Sequence, residues 1–300
     1  MKSDFLRFPD EIIKTKNRDI NIFNIDGKNI DKRVVDEFGD EWLKFFEHDD
    51  DLIRKGGEEY FDILNENMIN RHTYLLDVGC GTGRWTKYLA SKVGFIEAVD
   101  PSDAIFAADK LLAKIENVRL SKASIETLPF PDETFDFVMS IGVLHHIPNT
   151  RKALNDCVKK VKKGGYFFTY LYYNIDGRGP LYKSLFQLSN LLRKGVSRLP
   201  ANIKHFVCDV FAIIFYMPFI LLGRLFNFFG CRNLAKRMPL QGYQNRSFFM
   251  IRNDALDRFG TRLEQRFSAN EIIEMMEGAG LTEVVMSSGI PYYHAVGKKK

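Results

Sequence analysis

Three glycines at alternate positions, Gly79, Gly81 and Gly83, separate a short apolar run from the start of an amphipathic pattern in the stretch LLDVGCGTG, residues 75 to 83. Residues 74 to 78 (YLLDV) read as a strand buried on both faces, and Arg84 to Lys92 (RWTKYLASK) as a helix. A strand that turns on glycines into a helix is the first βα unit of a parallel sheet, and it leaves N–H groups at the helix start open to a ligand. Glycine permits positive φ there and lets a ligand reach the main chain, which suits nucleotide-like molecules. The dinucleotide fingerprint requires Gly or Ala where this chain has Arg84, and the phosphate loop requires a terminal Gly-Lys-Ser/Thr, so neither motif is present.

The same alternation continues along the chain. FIEAVD (95 to 100) reads as a strand, Ser102 caps the helix DAIFAADKLLAKI, and VRLSKAS (118 to 124) is the next strand. After the loop LPFPDE (128 to 133) come the strand FDFVMSI (135 to 141), the helix RKALNDCVKKVKK (151 to 163) stopped by Gly164 and Gly165, and the β-prone run YFFTYLYY (166 to 173). Five such units in series predict a doubly wound parallel sheet. At the end of the chain a helix from Ala269 to Glu277 precedes two strands, LTEVVMS (281 to 287) and YYHAVGK (292 to 298). Four residues are too few for a helical crossover, so these strands should pair antiparallel.

Asp100 ends the second strand, where a carboxylate can accept two hydrogen bonds from ribose hydroxyls; capping the next helix is its other possible task, for which Ser102 competes. Asp77 orients the glycine loop, contacts a ligand amine through water, or satisfies backbone donors, and the spacing leaves these three open.

These residues resemble the class I S-adenosylmethionine-dependent methyltransferases, in the branch typified by ubiquinone and menaquinone C-methyltransferases and sugar O-methyltransferases. The likeness rests on LLDVGCGTG, VDPS at 99 to 102, LPFPDETFDFVMSIGVLHHI at 128 to 147 and KKGG at 162 to 165, with FGDEW at 38 to 42 as a lead-in. It implies an α/β fold: a Rossmann-like doubly wound sheet with an antiparallel C-terminal hairpin, plus an N-terminal cap and a helical insert. It implies S-adenosyl-L-methionine as cofactor, with Gly79, Gly81 and Gly83 on its methionine part and Asp100 on its ribose. Relatives often carry Asp before the residue whose N–H meets the adenine, whereas this chain has Ser124 before Ile125, a neutral and weaker partner.

In sugar methyltransferases of similar pattern the histidine pair after the fourth strand supplies a base, which makes His145 and His146 catalytic candidates, His145 ahead. One of two adjacent histidines usually points inward as a structural group. Asp176, just after the fifth strand, reads first as a solvated loop residue and second as a group that orients such a ring, and Tyr172 and Tyr173 are candidates to line an acceptor pocket. His48, His72, His205 and His294 share no spacing with carboxylates, so no metal site is expected. Trp42 and Tyr60 are among the few large rings of the N-terminal cap, which reads as a segment folded over the cofactor or as a solvated helical extension.

The chain's formal charge of +5 is unevenly spread: residues 176 to 250 hold eleven basic and two acidic side chains, while residues 1 to 70 hold eleven basic and eighteen acidic. The domain reading is a cap at 1–70, a cofactor-binding core at 71–175, a basic apolar helical insert at 176–250 and the rest of the core at 251–300. Within the insert FVCDVFAIIFYMPFILLGRLFNFF (206 to 229) carries eight aromatics. Its uncharged part from Val210 to Gly223 contains Pro218 and is shorter than the ~20 residues a bilayer span needs. It reads as an acceptor lid, a re-entrant or interfacial element on an anionic membrane, or an oligomer face. Runs such as FILL are poor stacking platforms, which disfavours nucleic acid.

Four scattered cysteines give no disulfide framework or zinc knuckle, and the charged opening MKSDFLRFPDEI lacks a signal-peptide core, so a cytoplasmic protein, peripheral to a membrane at most, is expected. The function expected from the resemblance is methyl transfer, and the basic apolar insert suggests as acceptor a hydroxyl oxygen of a small-molecule, sugar or lipid-linked substrate. The alternatives are C-methylation of a quinone-like ring or a non-catalytic cofactor-binding or membrane-adaptor protein. A nicotinamide oxidoreductase is disfavoured by Arg84 and by the final hairpin. Oligomeric state is not legible.

Overall fold

The computed structural model describes residues 4–25, 27–44, 49–174, 180–244, 248–289 and 293–300. The chain divides into two compact units, residues 1–174 with 263–300, and residues 175–262. The first opens with β1 (Glu11–Lys14), β2 (Asp19–Ile22), α1 (Lys32–Lys44) and α2 (Asp50–Tyr60). It continues with β3 (Tyr74–Val78), α3 (Arg84–Ala90), β4 (Phe95–Asp100), α4 (Ala104–Leu111), β5 (Val118–Lys122), β6 (Phe135–Ile141), α5 (Thr150–Lys160) and β7 (Val161–Tyr170). The second unit consists of α6 (Pro180–Val196), α7 (Ala201–Phe211), a π-helical turn (Ala212–Tyr216), α8 (Met217–Phe228), α9 (Arg232–Arg237) and α10 (Phe248–Gly260). The first unit closes with α11 (Ala269–Gly278), β8 (Leu281–Met286) and β9 (His294–Lys299).

One nine-stranded sheet runs in the order β1-β2-β5-β4-β3-β6-β7-β9-β8. Strands β2 and β5 to β3, then β6 and β7, are parallel, while β9 is antiparallel to both β7 and β8. Alternation along the buried strand β3 explains the layers: Tyr74, Leu76 and Val78 join a core with α5 and α11, and Leu75 joins one with α3 and α4. Burial of each such side chain stabilises by about 1.5–3 kcal/mol. The order reverses between β3 and β6, and this is the crevice where open α/β sheets bind ligands.

Two local readings change. The helix ends at Lys160, and Val161 already pairs with Phe135, because a β-branched residue entering the ladder gains more than a further helical turn would. Gly165 then lies where a Cβ would meet the Asp136 carbonyl at 2.7 Å, at the shift in register between β6 and β7. The final two strands are antiparallel, but the link between β8 and β9 spans 287–293 rather than four residues. The strands β1 and β2, not anticipated in the acidic N-terminal segment, extend the sheet beyond β5.

In the second unit α7, the π turn and α8 form a continuous helix, which from Asn202 to Phe228 is long and apolar enough to cross a membrane. The uncharged stretch Val210–Gly223 is shorter than this helix because the helix runs on past Asp209 and Arg224. Pro218 falls in the first turn of α8, directly after the π turn, where its missing N–H costs least. Asp209 is neutralised by a bidentate pair with Arg252 of α10, both bonds 2.6 Å.

Candidate active site

The loop after β3 is tied to β4 by main-chain bonds from Gly79 and Cys80 to the Val99 carbonyl, 2.7 and 3.0 Å. Gly79, Gly81 and Gly83 all have positive φ. At Gly79 a Cβ would lie 2.4 Å from a Val143 methyl carbon, so the β6 loop packs directly on the backbone there. At Gly81 the nearest atom to a Cβ is Trp42 Nε1, 4.0 Å away, leaving open space in front of the main chain. Trp42 belongs to α1 and Tyr60 to α2, and the Tyr60 ring lies 4.6 Å from that of Trp85. Trp42 thus lies in front of the loop and Tyr60 beside the first turn of α3.

Two acids meet beneath it. Asp77 accepts from Thr86 Oγ1 at 2.6 Å, and burial, with the nearby Asp100 charge, pushes its carboxyl up to about 7 despite that bond. Asp100 accepts the Gly81 N–H at 2.8 Å and both the N–H and hydroxyl of Ser102, and burial raises it too. A pair of buried carboxyls at a glycine loop is relieved by a cation. Ser124 caps the short 3-10 turn Ile125–Thr127, its hydroxyl 2.9 Å from that of Thr127, so this side chain already has a local partner.

The histidines after β6 differ sharply. His146 Nδ1 lies 2.7 Å from the Leu263 carbonyl, which fixes it as the donor and the ring as an anchor. His145 is wholly buried with neither ring nitrogen hydrogen-bonded. It stacks on Tyr172 at 3.8 Å and lies 6.4 Å from Tyr170, whose ring meets Tyr60 at 5.3 Å. Burial first, then the charges of His146 and Arg266, hold its pKa well below the usual histidine value, so the ring is neutral with a lone pair available. Tyr173 lies beyond, 5.8 Å from Tyr293, and Asp176 falls outside the described residues.

A strap missed in the sequence holds this group. Between Leu263 and Phe267, the Gln265 N–H meets the His145 carbonyl, Gln265 Nε2 donates to the Ile147 carbonyl, and the Phe267 N–H meets the Tyr172 carbonyl. Arg266 donates to the Tyr173 carbonyl and lies over the Tyr172 ring, with Glu264 as its ion-pair partner at 2.6 Å. Nothing in the local pattern of RLEQRF signals this, because the carbonyls it binds lie about a hundred residues away. His294, which shares no sequence spacing with a carboxylate, is 2.6 Å from Asp62. Among the described residues no group of three or more His, Cys, Asp or Glu side chains is placed to hold a metal.

The glycine loop, the acid ending β4, the turn after β5 and the histidines after β6 therefore share the carboxyl edge of the parallel strands. Residues 76–169 match the family model of a methyltransferase domain. The chain carries a class I S-adenosylmethionine-dependent methyltransferase domain. It is 33% identical over 107 residues to a demethylmenaquinone methyltransferase of Staphylococcus aureus, covering 34% of this chain and 44% of that protein. The chain thus spans less than half the length of the curated relatives it matches. Human N-acetylserotonin methyltransferase, solved with S-adenosylmethionine, aligns with a TM-score of 0.51 at 15% identity over 87% of this chain and 56% of that one, a likeness of fold. The residues present are of a kind that fits such a cofactor: a cationic amine would suit the buried Asp77 carboxyl, ribose hydroxyls the Asp100 carboxyl, and the open face of Gly81 leaves the main chain accessible to a ligand.

Proposed function

We propose that this chain transfers a methyl group from S-adenosylmethionine to a hydroxyl of a small-molecule acceptor. The observation that carries the reading is a buried, unbonded His145 on the same sheet edge as an open glycine loop lying over two carboxyls. Gly79, Gly81 and Gly83 would face the methionine part of the cofactor, Asp77 its amine, Asp100 its ribose, and Ser124 and Ile125 its adenine. When bound, the sulfonium supplies an activated methyl group. The protein's tasks are alignment and proton removal. As the acceptor oxygen takes the methyl its proton becomes strongly acidic, so even the weakly basic His145 can accept it, while the strap keeps the ring in place. His146, bonded to the Leu263 carbonyl, serves position rather than proton transfer.

A sugar or lipid-linked acceptor on a cytoplasmic protein is the finer reading, and the basic, apolar composition of residues 176–250 supports it. A second reading, methylation of a ring carbon in a quinone-like acceptor, is favoured by the flat faces of Tyr60, Tyr170 and Tyr172 near His145 and by the relation to demethylmenaquinone methyltransferase. Mass spectrometry of a cell extract incubated with the protein and methyl-labelled cofactor separates them by the atom labelled. No labelled product, together with no calorimetric binding of S-adenosylhomocysteine, would reject both.

A further inference from the structure

The second unit contains an apolar surface that methyl transfer does not explain. Along the helix 201–228 one face is buried within the unit through Cys208, Ala212, Tyr216, Ile220 and Gly223. The other exposes Ile203, Phe206, Ile213, Ile214, Leu221, Leu225 and Phe228 from end to end, and only 28% of the helix's most apolar stretch is buried. Exposed aliphatic and aromatic surface of this length, interrupted by the exposed Arg224 whose Nε donates to the Gln244 carbonyl at 2.7 Å, marks an interaction face.

Charge identifies the partner. Exposed Lys194 and Arg198 precede the helix, exposed Arg232 and Lys236 follow it, and the segment's one described carboxylate, Asp209, is paired with Arg252. An apolar stripe with cations at both ends matches an anionic lipid surface, whereas a second copy would bring the same cations face to face.

The packing also decides how the helix lies. α10 packs against α7 and brings Arg252, Asp254 and Arg258 with it; Asp254 accepts from Tyr216 at 2.8 Å and also from Tyr243. Crossing the bilayer would carry these charges into hydrocarbon, or would strip the helix from α10 and leave Asp209 unpaired there. We propose that the second unit docks on an anionic membrane with helix 201–228 lying in the interfacial plane, its stripe from Ile203 to Phe228 immersed and its opposite face still on α10. The docking is separable from the methyl-transfer reading because its measurement is binding.

The test is flotation of the full chain with phosphatidylcholine vesicles, with and without about 30 mole percent phosphatidylglycerol. The protein should float with the anionic vesicles, and ~0.5 M salt should release most of it. The triple variant F206S/L221S/F228S should lose about tenfold in vesicle partitioning at an unchanged melting temperature, since all three side chains are exposed. R232E/K236E should lose binding to anionic vesicles alone. Failure of the wild type to float with either vesicle overturns the proposal, as does a triple variant that floats equally well. Resistance of the bound protein to alkaline carbonate would mean that the helix spans, and a dimer abolished by the triple variant without any flotation would mean a face between copies; either outcome overturns it.

Discussion

The Thr86 hydroxyl donates to Asp77 Oδ2 across 2.6 Å, joining the first turn of α3 to β3 directly below the glycine loop. Both residues are buried, and Asp77 titrates at about 7 although the Thr86 bond works to lower it. The folded protein therefore holds a proton between about pH 4 and 7 that the unfolded chain has lost, and the cofactor-free protein becomes less stable as pH rises through that window.

A cation beside Asp77 reverses its preference for the proton. Binding of S-adenosylmethionine should release a proton near pH 6.5 and tighten between about pH 6 and 8, measured by calorimetry in buffers of different ionisation enthalpy. D77N should remove the release and weaken binding about tenfold or more. The free variant should be about 1–3 kcal/mol more stable than wild type at pH 8, because no buried charge remains. Equal proton release in variant and wild type would take Asp77 out of the cofactor site.

His145 and His146 should respond differently to alanine. H145A is expected to lower turnover about 10²–10⁴-fold with S-adenosylhomocysteine affinity unchanged, because the ring makes no hydrogen bond that folding would miss. H146A should cost about 1–3 kcal/mol in denaturant unfolding, since it leaves the Leu263 carbonyl without its partner. Equal turnover in H145A and wild type on the identified acceptor would exclude the ring as base.

The contrast between these two rings shows where sequence reading stops. The unit β3, loop, α3 was legible because strand period, glycines and helix period are local signals, and Asp100 followed from its place at the end of the next strand. Which histidine is free is decided by Leu263, 117 residues on, through a strap with no periodic signature. The pairing of β2 with β5 is long-range in the same way, and DINI is too short and mixed to announce a strand. The length of the helix around Pro218 was not legible either, because the π turn that accommodates this residue and the Arg252 partner of Asp209 leave no mark in the local composition.

Gly79 and Gly81 should separate folding from binding. G79A forces a Cβ onto Val143 at 2.4 Å with φ at +79°, and should lower stability by several kcal/mol, about 2–4. G81A meets open space and carries only the positive-φ cost of about 1–2 kcal/mol, yet its methyl group stands where a ligand would approach the main chain. Thermal melting and S-adenosylhomocysteine titration together check this: G81A should stay folded and lose at least about tenfold in affinity. A folded G81A that binds normally would show that the ligand does not approach that face.

Asp62 and His294 are 232 residues apart and join the end of α2 to β9, His294 Nε2 donating across 2.6 Å while Ser287 Oγ donates to the other oxygen at 2.7 Å. Burial works to raise the Asp62 carboxyl, but the bonds from His294 and Ser287 outweigh it and hold the carboxyl below its ordinary value. A depressed acid stabilises fully above its unfolded pKa and loses that contribution as pH falls through the folded one. The wild type should therefore lose stability on acidification below about pH 4 more steeply than D62N, which at pH 7 should be weaker by about 1–2 kcal/mol, the lower part of the range for charged hydrogen bonds because Asp62 is 38% exposed. Denaturant unfolding of both proteins from pH 3 to 7 checks it. A difference between them that stays constant across that range would mean that the contact contributes packing alone.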